Sequence, residues 1–305
     1  MSNRYLLCRP QGGLNDVLCQ IERCYQYAKL TDRTLVVDTN YSDNFYFKDD
    51  FSKYFFSSDP SIELNGSKYL KLMEDMDVYP SLIKGKLNHY ESKYHSTKLR
   101  YVEKVSLEPI SFNFKKNYLE QLIIHHDCGA QEFLSIGALK KLAISESLKA
   151  MLIERYRTIG SSYMGLHIRN TDYQTDTHAL VAKIKQIKPE RLLIATDDLR
   201  TLNYFLGEID PSVTKIFNFA STLSSGGDPI HTSNGLVDEE IYERNCDAIL
   251  DLLLLALANT LCYSEIQANG PNLGYSGYSL LARDLFNDKA TLFNLIGGSE
   301  SLLYV

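Results

Sequence analysis

The N-terminal segment places one amphipathic stretch between two short apolar runs. RYLLC (Arg4 to Cys8) has the composition of a strand, and TLVVD (Thr34 to Asp38) is a β-branched run typical of a parallel sheet buried on both faces. Between them, apolar residues recur at helical spacing from Leu14 to Leu30, which predicts a helix. The pattern therefore predicts a strand–helix–strand unit whose first turn is PQGG.

A similar alternation of apolar runs and amphipathic stretches returns in the second half of the chain. It is typical of parallel sheets, whereas residues 40–116 are rich in Tyr, Phe, Ser and Lys, have weak periodicity and predict loops and short helices. A regular pattern returns with the apolar segment Gln121–His126. The predicted elements after it are helix Ala138–Arg157, strand YMGLHI ending at Ile168, helix Asp176–Ile187, strand Arg191–Thr196, helix Asp198–Leu206, strand Lys215–Phe219, helix Glu239–Ala258 leading into a strand at TLCYS, and helix Ser276–Leu285.

The chain length permits one large domain or two of ordinary size, each able to bury a core. The sequence TIGSS follows a predicted helix and indicates a boundary near residues 155–162. We therefore expect an α/β fold with two doubly wound, Rossmann-like domains facing a cleft, formed by residues 1–157 and 158–305.

Composition and charge narrow the class of protein. Hydrophobic residues make up 44% and charged residues 23% of the chain, as in soluble globular proteins. The net charge of −6 argues against binding to nucleic acid, which needs a cationic surface. No secretory signal is recognisable, and the longest apolar stretch, from Ala248 to Tyr263, is interrupted by Asp251 and Asn259. We expect a cytoplasmic protein without a transmembrane segment.

The cysteines form no CxxC pair and no compact framework. Since most lie within apolar segments, we interpret them as reduced core residues rather than as disulfide or metal-binding groups. They are Cys8, Cys19, Cys24, Cys128, Cys246 and Cys262.

The stretch GLHIRNTDYQTD places charged and polar residues directly after a predicted buried strand. On an extended segment His167 and Arg169 point to the same face, at the carboxyl end of the sheet where α/β proteins bind ligands. A guanidinium there can bind a phosphate with two parallel hydrogen bonds. Alternatively, Arg169 pairs with Asp172 or Asp176, and His167 is a hydrogen-bonded interior residue.

Polar residues follow two further predicted strands. IATDD places Asp197 at the same crevice, whereas Asp198 equally suits the N-cap of the next helix. After the strand at TLCYS come Ser264 and the Gly-rich segment NGPNLGYSGYS, which contains Ser276 and Ser279 and opens a helix. Backbone amides and hydroxyls at a helix N-terminus can bind an anion, although Gly and Ser also fill ordinary turns.

The first turn, PQGGLND, is not a GxGxxG dinucleotide motif. Its glycines Gly12 and Gly13 allow tight backbone passage. Asn15 or Asp16 is expected either to cap the following helix or to face the cleft. We include Gly12, Gly13 and Asn15 among the candidate substrate-binding residues.

Four segments together resemble fucosyltransferases of the bacterial nodulation and α1,6 type. RPQGGLNDVLCQIERCYQYAKLTDRTLVVDT is similar to the N-terminal segment of that family, and HIRNTD is similar to its HxRxTD motif. LLIATDD resembles its LATDD strand, and DAILDLLLLALANTLCYS resembles the helix and strand before its Ser-rich terminal motif. The order of the four segments agrees with the family, while residues 40–150 show no usable resemblance.

The resemblance implies a GT-B fold, a GDP-sugar donor, a glycan acceptor, and inverting transfer without a metal or other cofactor. It assigns His167 and either Asp197 or Asp198 to the guanine, and Arg169 to the β-phosphate. The base position of the family falls on Thr177, so that Asp176, one residue earlier, is the candidate base here. Ser264, Ser276 and Ser279 would assist the diphosphate, although their spacing differs from the compact Ser pair of the family.

Three functions remain open from the sequence. The first is fucose transfer from GDP-fucose to a glycan hydroxyl, with bacterial surface polysaccharide or oligosaccharide synthesis as the expected setting. The second is transfer from a different nucleotide sugar on the same fold, and the third is non-catalytic binding of a glycan or nucleotide. A lipid-linked acceptor would place the protein at the periphery of a membrane.

Overall fold

The computed structural model describes residues 4–41, 44, 46–129, 134–221, 223–224, 235–267 and 273–298. The chain forms two compact units, Met1–Ser145 and Glu146–Val305. The division therefore precedes the expected boundary at 157/158. The helix Glu146–Ile159 packs against the helix Asp238–Leu257, and an ion pair between Arg155 and Asp247 (2.5 Å) joins the two, so the first helix belongs to the second unit.

The N-terminal unit has a central sheet with short strands and helices around it. Its helices are α1 (Leu14–Leu30), α2 (Gly66–Met73) and α3 (Leu134–Leu139). Its strands are β1 (Tyr5–Pro10), β2 (Thr34–Val37), β3 (Phe55–Ser57), β4 (Ile62–Glu63), β5 (Val78–Tyr79), β6 (Ser92–His95), β7 (Arg100–Glu103), β8 (Leu122–Asp127) and β9 (Leu142–Ile144).

The central sheet of this unit is parallel, with strand order β4–β2–β1–β8–β5. Leu6 of β1 lies between Leu35 of β2 and Ile123 of β8, and all three side chains are fully buried. The predicted strand–helix–strand unit at the N-terminus is confirmed. It places the carboxyl ends of β1, β2 and β8 at one edge of the sheet, because parallel strands run in the same direction.

The helix predicted from Ala138 to Arg157 is wrong in its first part. Helix α3 ends at Leu139, and the chain then forms β9, which pairs antiparallel with β3. Leu142 and Ile144 are buried on this strand, and the same two apolar residues continue the helical spacing in the sequence, which explains the error. The region 40–116 contains strands of two to four residues, too short to produce a clear periodic pattern.

The C-terminal unit contains helices α4 (Glu146–Ile159), α5 (Thr177–Ile187), α6 (Leu199–Glu208), α7 (Asp238–Leu257), α8 (Gly277–Asn287) and α9 (Lys289–Leu295). Its strands are β10 (Met164–Ile168), β11 (Arg191–Thr196), β12 (Lys215–Phe217), β13 (Thr260–Tyr263), β14 (Ile266–Gln267) and β15 (Leu273–Gly274). The elements predicted from Ile168 onwards are confirmed within two residues at each end.

The main sheet of this unit is parallel, with strand order β12–β11–β10–β13. From β10 the chain proceeds outward through β11 and β12, then returns to place β13 on the other side of β10. The interval between β10 and β13 is therefore the topological switch point, where open α/β sheets bind ligands at the carboxyl ends of the strands.

Helix α7 lies close against β10 at Gly165. A Cβ atom at that position would lie 3.1 Å from Leu255 Cδ2 and 3.2 Å from the Ala258 Cβ. The absence of a side chain at Gly165 thus allows the close approach of helix and strand next to the switch point.

Candidate functional site

His167 lies near the carboxyl end of β10, at the switch point. Its Nδ1 atom is 2.7 Å from Ser279 Oγ, and its ring packs against Tyr278 with ring centres 4.9 Å apart. Burial, with a smaller contribution from Arg169, lowers the pKa of His167 to about 3. The imidazole is therefore neutral near pH 7 and can act as both donor and acceptor, but it supplies no charge.

The serine that His167 contacts, Ser279, lies in the first turn of α8. Ser276 is the N-cap residue, and its hydroxyl accepts a hydrogen bond from the Ser279 amide (3.1 Å). The two serine Oγ atoms are 2.9 Å apart, and Ser279 is fully buried. The structure thus brings three of the candidate residues, His167, Ser276 and Ser279, together and places the positive end of a helix dipole beside the end of β10.

Arg169 is held by two carboxylates. Its Nε and one terminal nitrogen donate to the two oxygens of Asp172 at 2.7 and 2.9 Å, and the other terminal nitrogen lies 3.1 Å from Asp197 Oδ2. The pairing with Asp172 that the sequence left open is therefore present. The Arg169 side chain is 20% exposed and that of Asp172 is 33% exposed, so solvent reaches both.

Asp197 follows β11 and is buried, with 8% of its surface exposed. Its Oδ2 also accepts a hydrogen bond from the Thr171 hydroxyl at 2.7 Å. Its Oδ1 is buried and has no hydrogen-bond partner among the described residues. Burial raises the pKa of the Asp197 carboxyl above its ordinary value, against the opposing effect of Arg169. A buried acceptor without a partner is costly, so Asp197 Oδ1 is free to accept a further hydrogen bond.

Asp198 has a structural role. It is the N-cap of α6, and its oxygens accept hydrogen bonds from the Arg200 amide, the Thr201 hydroxyl and the Asn170 side chain. Burial acts to raise the pKa of Asp198, but these hydrogen bonds outweigh it and hold the pKa below its ordinary value. Of the two neighbouring aspartates, Asp197 is therefore the one with a buried oxygen that has no hydrogen-bond partner among the described residues.

Asp176 also caps a helix, because its carboxylate accepts a hydrogen bond from the Ala179 amide at 3.0 Å. It is exposed, and one carboxylate oxygen is used in this cap. The preceding Thr175 hydroxyl donates to the Arg169 carbonyl at 2.7 Å and lies 3.3 Å from Ser264 Oγ. Ser264 is buried and accepts a hydrogen bond from the Arg169 amide at 3.4 Å. Ser264 therefore braces the end of β10.

The glycine turn predicted after β1 lies in the N-terminal unit. Gly12 has a φ of 113°, and a Cβ there would lie 2.7 Å from the Asp16 Cβ. Gly13 is the N-cap of α1 and has no side chain to cap it, while Asn15 lies in the first turn of the helix. Capping by Asn15 or Asp16 is therefore wrong as a prediction, since both residues lie inside the helix.

Three site residues were missed at the sequence level. The Asn170, Thr171 and Thr175 side chains fix the loop after β10 through the hydrogen bonds described above. The signal was present, because all three lie within the motif stretch that follows the strand. Residues 268–272 of the predicted Gly-rich segment lie outside the described residues.

Neither a metal-binding cluster nor a membrane-spanning helix occurs within the described residues. They contain no group of three or more His, Cys, Asp or Glu side chains arranged to hold a metal ion. They also include no helix with the length and apolar character needed to cross a bilayer.

Two Rossmann-like units with parallel sheets, the second carrying polar residues at its switch point, define a GT-B fold. Solved structures of other proteins share it. Fucosyltransferase NodZ from Bradyrhizobium is 16% identical with a TM-score of 0.59, over 93% of this chain and 94% of that one. NodZ α-1,6-fucosyltransferase co-crystallised with GDP is 16% identical, with a TM-score of 0.61 over 93% of both chains.

The third structure is POFUT1 in complex with GDP-fucose, which is 11% identical, with a TM-score of 0.55 over 94% of this chain and 95% of that one. At the sequence level, no protein-family model and no curated protein matches the chain. The comparisons thus establish the fold, over nearly the full length.

Proposed function

We propose that this protein is a glycosyltransferase that moves fucose from GDP-fucose to a glycan hydroxyl, with inversion and without a metal ion. The observation that carries the proposal is that the end of β10 bears both Arg169, which pairs with the buried Asp197, and His167, which contacts Ser279 in the first turn of α8. The fold supports it, because solved structures of the same fold were obtained with GDP and GDP-fucose.

In this proposal Arg169 and the first turn of α8 receive the diphosphate. Negative charge grows on the departing diphosphate as its bond to the sugar breaks, and fixed donors at that place stabilise the transition state. Arg169 already holds a carboxylate through paired hydrogen bonds, which is the geometry it would use for phosphate oxygens. The incoming diphosphate would therefore replace the more exposed of its partners, Asp172.

We assign guanine recognition to Asp197. The base carries N–H donors on one edge, and Asp197 Oδ1 is a buried acceptor without a partner among the described residues. His167, neutral and held by Ser279, would contact the nucleotide beside it. A site built to accept guanine hydrogen bonds rejects bases that lack these donors, because its buried oxygen would then stay unpaired.

The transfer itself requires one proton acceptor. The acceptor hydroxyl gives its proton to a carboxylate, its oxygen forms the new bond to the anomeric carbon, and GDP departs with the electron pair of the broken bond. Asp176 is our first candidate for this base, with Asp172 the second. Gly12, Gly13 and Asn15 would contribute substrate contacts from the N-terminal unit, and we place the reaction in the synthesis of a bacterial surface polysaccharide or oligosaccharide.

Isothermal titration calorimetry with GDP, UDP and CMP tests the nucleotide assignment. We expect GDP to bind and the other two to bind far more weakly. Asp197→Asn should weaken GDP binding by about 10- to 100-fold, since a hydrogen bond to a charged acceptor is lost. Equal affinity for the three nucleotides would refute the GDP-sugar assignment and favour a different donor.

The matched control is Asp198→Asn, because asparagine caps a helix nearly as well as aspartate. It should retain GDP affinity. If instead Asp198→Asn loses GDP binding while Asp197→Asn keeps it, the guanine contact belongs to Asp198. Formation of fucosylated product from GDP-fucose and a glycan acceptor library, read by mass spectrometry, then separates an enzyme from a non-catalytic binding protein.

A further inference from the structure

A cavity of about 180 Å³ lies within the N-terminal unit, at the carboxyl ends of two neighbouring strands of its parallel sheet. Arg9 lies near the end of β1, and Asn40 and Tyr41 follow β2. The opposite wall comes from Leu87 and Tyr90, in the segment after β5. Its position is the one at which α/β sheets bind ligands, and the C-terminal site described above uses none of these residues.

The inner walls of the cavity are fixed by contacts around Arg9. The guanidinium donates to Asp38 Oδ2 and to the Leu87 carbonyl, both at 2.8 Å. It also lies over the rings of Tyr41 and Tyr90, at 5.3 and 5.2 Å from their centres. Only 3% of Arg9 is exposed. Because its charge is paired with a buried carboxylate, the cavity offers an anion little net attraction.

The tyrosine walls are held in turn by neighbours outside the cavity. The Tyr90 hydroxyl lies 2.7 Å from Nδ1 of the buried His126, and the Tyr41 hydroxyl donates to the Pro10 carbonyl at 3.2 Å. Burial, with smaller effects from Arg9 and His125, lowers the pKa of His126 well below its ordinary value, so the ring is neutral. The walls are therefore preorganised, as a binding site requires.

The mouth of the cavity has a different chemistry. Asn40 and Asn88 are exposed there, and the half-buried Leu70 of α2 completes the rim. Each side-chain amide supplies both donors and an acceptor, which matches hydroxyl groups that also donate and accept. Leu70 and Leu87 provide apolar surface for carbon-bound hydrogens. An apolar cavity of about 150 Å³ can hold a benzene ring, so this one has room for the six-membered ring of one sugar, with part of its substituents at the open mouth beside Asn40 and Asn88.

We propose that this cavity binds one neutral, hydroxyl-rich ring, namely a single sugar residue of the glycan acceptor. That the ring belongs to the acceptor rests on the proposed transferase function, whereas the binding of a sugar ring rests on the cavity alone. Ordinary ligand pockets for larger molecules measure about 300–1,000 Å³, so the cavity selects one residue of an oligosaccharide and leaves the others outside it.

The test uses the full chain and saturation-transfer NMR with the methyl glycosides of glucose, galactose, mannose and N-acetylglucosamine. We expect at least one of them to bind. Asn40→Ala combined with Asn88→Ala should weaken that binding about tenfold, through the loss of two hydrogen bonds. Leu70→Trp should abolish it by filling the cavity. Asn203→Ala, an exposed amide on α6, is the matched control and should bind normally.

The outcomes separate the cavity from the transferase proposal. No binding by any glycoside, equal binding by all variants, or displacement by inorganic phosphate would overturn the sugar site. Circular dichroism checks the fold of the Leu70→Trp variant. If Leu70→Trp is unfolded, the sugar affinity of the double asparagine variant decides whether the cavity is the binding site. Fucose transfer with an unchanged acceptor KM in the double variant would refute the cavity alone. Sugar binding without any transfer would refute the enzyme alone.

Discussion

At the scale of single residues, Arg169 is the side chain on which the proposed chemistry depends most. Its fork is engaged by Asp172, and its remaining terminal nitrogen reaches Asp197. A guanidinium that is already oriented loses little freedom when a diphosphate replaces one carboxylate. In the proposed function the Arg169–Asp172 pair would therefore hold the guanidinium in position for a diphosphate, while a partly exposed ion pair contributes little to stability.

We predict that Arg169→Ala lowers transfer by about 10²- to 10³-fold, the usual loss for one donor that stabilises transition-state charge. Arg169→Lys should recover only part of the rate, since a lysine ammonium cannot make the paired fork. Steady-state kinetics with GDP-fucose measure both. Arg157→Ala, an exposed arginine on α4, serves as control, and near-normal turnover in Arg169→Ala would remove this residue from the mechanism.

A single substitution can separate the two roles considered for Asp176, the helix cap and the proposed base. Asn caps nearly as well as Asp but cannot accept the proton. We predict that Asp176→Asn retains GDP affinity and thermal stability and loses transfer by orders of magnitude. If the variant turns over normally, Asp176 is only the cap of α5, and the same substitution at Asp172 and Asp16 identifies the base.

The sequence anticipated much of the site at this scale, for a clear reason. His167 lies near the end of β10, and Arg169, Asp172 and Asp197 follow strands within a few residues, so the local pattern was enough to select them as candidates. The contact between His167 and Ser279 joins residues 112 positions apart, and spacing alone cannot show which serine meets the imidazole. The choice between Asp197 and Asp198 likewise required the hydrogen bonds of α6.

At the scale of elements, long segments could be predicted from their apolar spacing, whereas short segments could not. Helices α1, α5 and α7 contain enough turns for their apolar spacing to be unambiguous. Strand β9 has three residues, and its buried Leu142 and Ile144 also lie three or four positions from apolar residues of α3 and α4, as they would in one continuous helix. The aromatic region between β2 and β8 is built from such short pieces, so the walls of its cavity could not be read from periodicity.

Helix α7 carries a buried carboxyl group that the sequence showed only as an interruption of an apolar run. Asp251 is 7% exposed, and its Oδ1 has no hydrogen-bond partner among the described residues. Burial, reinforced by the nearby Asp247, raises the pKa of Asp251 to about 7. The folded protein therefore binds this proton more tightly than the unfolded chain, whose aspartate has a pKa of about 3.9.

The sign of this shift predicts a pH-dependent effect of Asp251→Asn. The raised pKa of Asp251 contributes its full stabilisation of the folded state below about pH 4, and this contribution is lost as the pH rises through about 7. The neutral asparagine avoids that loss. We expect the variant to gain at least about 1 kcal/mol over the natural protein at pH 8.5, and less at pH 5.

Urea unfolding at both pH values measures this difference in the free energy of unfolding. Glu243→Gln lies on the same helix but is exposed, so it should leave the pH dependence unchanged. An Asp251→Asn variant that is destabilised equally at both pH values would show that Asp251 is charged and paired in the folded state.

At the scale of the whole molecule, we expect the proposed transfer reaction to need no divalent cation. Arg169 and the N-terminus of α8 would together neutralise the diphosphate, a task that a metal ion performs in other enzymes. We predict full transfer activity in EDTA, measured by GDP release in the presence of acceptor. If chelation abolishes activity and Mg²⁺ or Mn²⁺ restores it, Asp197 and Asp198 become candidate metal ligands.

The pairing of β10 with β13 has a consequence for biosynthesis. Met164 of β10 lies beside Thr260 of β13. The strands between them in sequence, β11 and β12, lie on the other side of β10. A ribosome must therefore release nearly the whole C-terminal unit before the edge of β10 is covered. Such high contact order slows folding and leaves an apolar strand edge open meanwhile. Chains that stall within α7 would expose that edge, and they are the expected clients of chaperones and the expected source of aggregates.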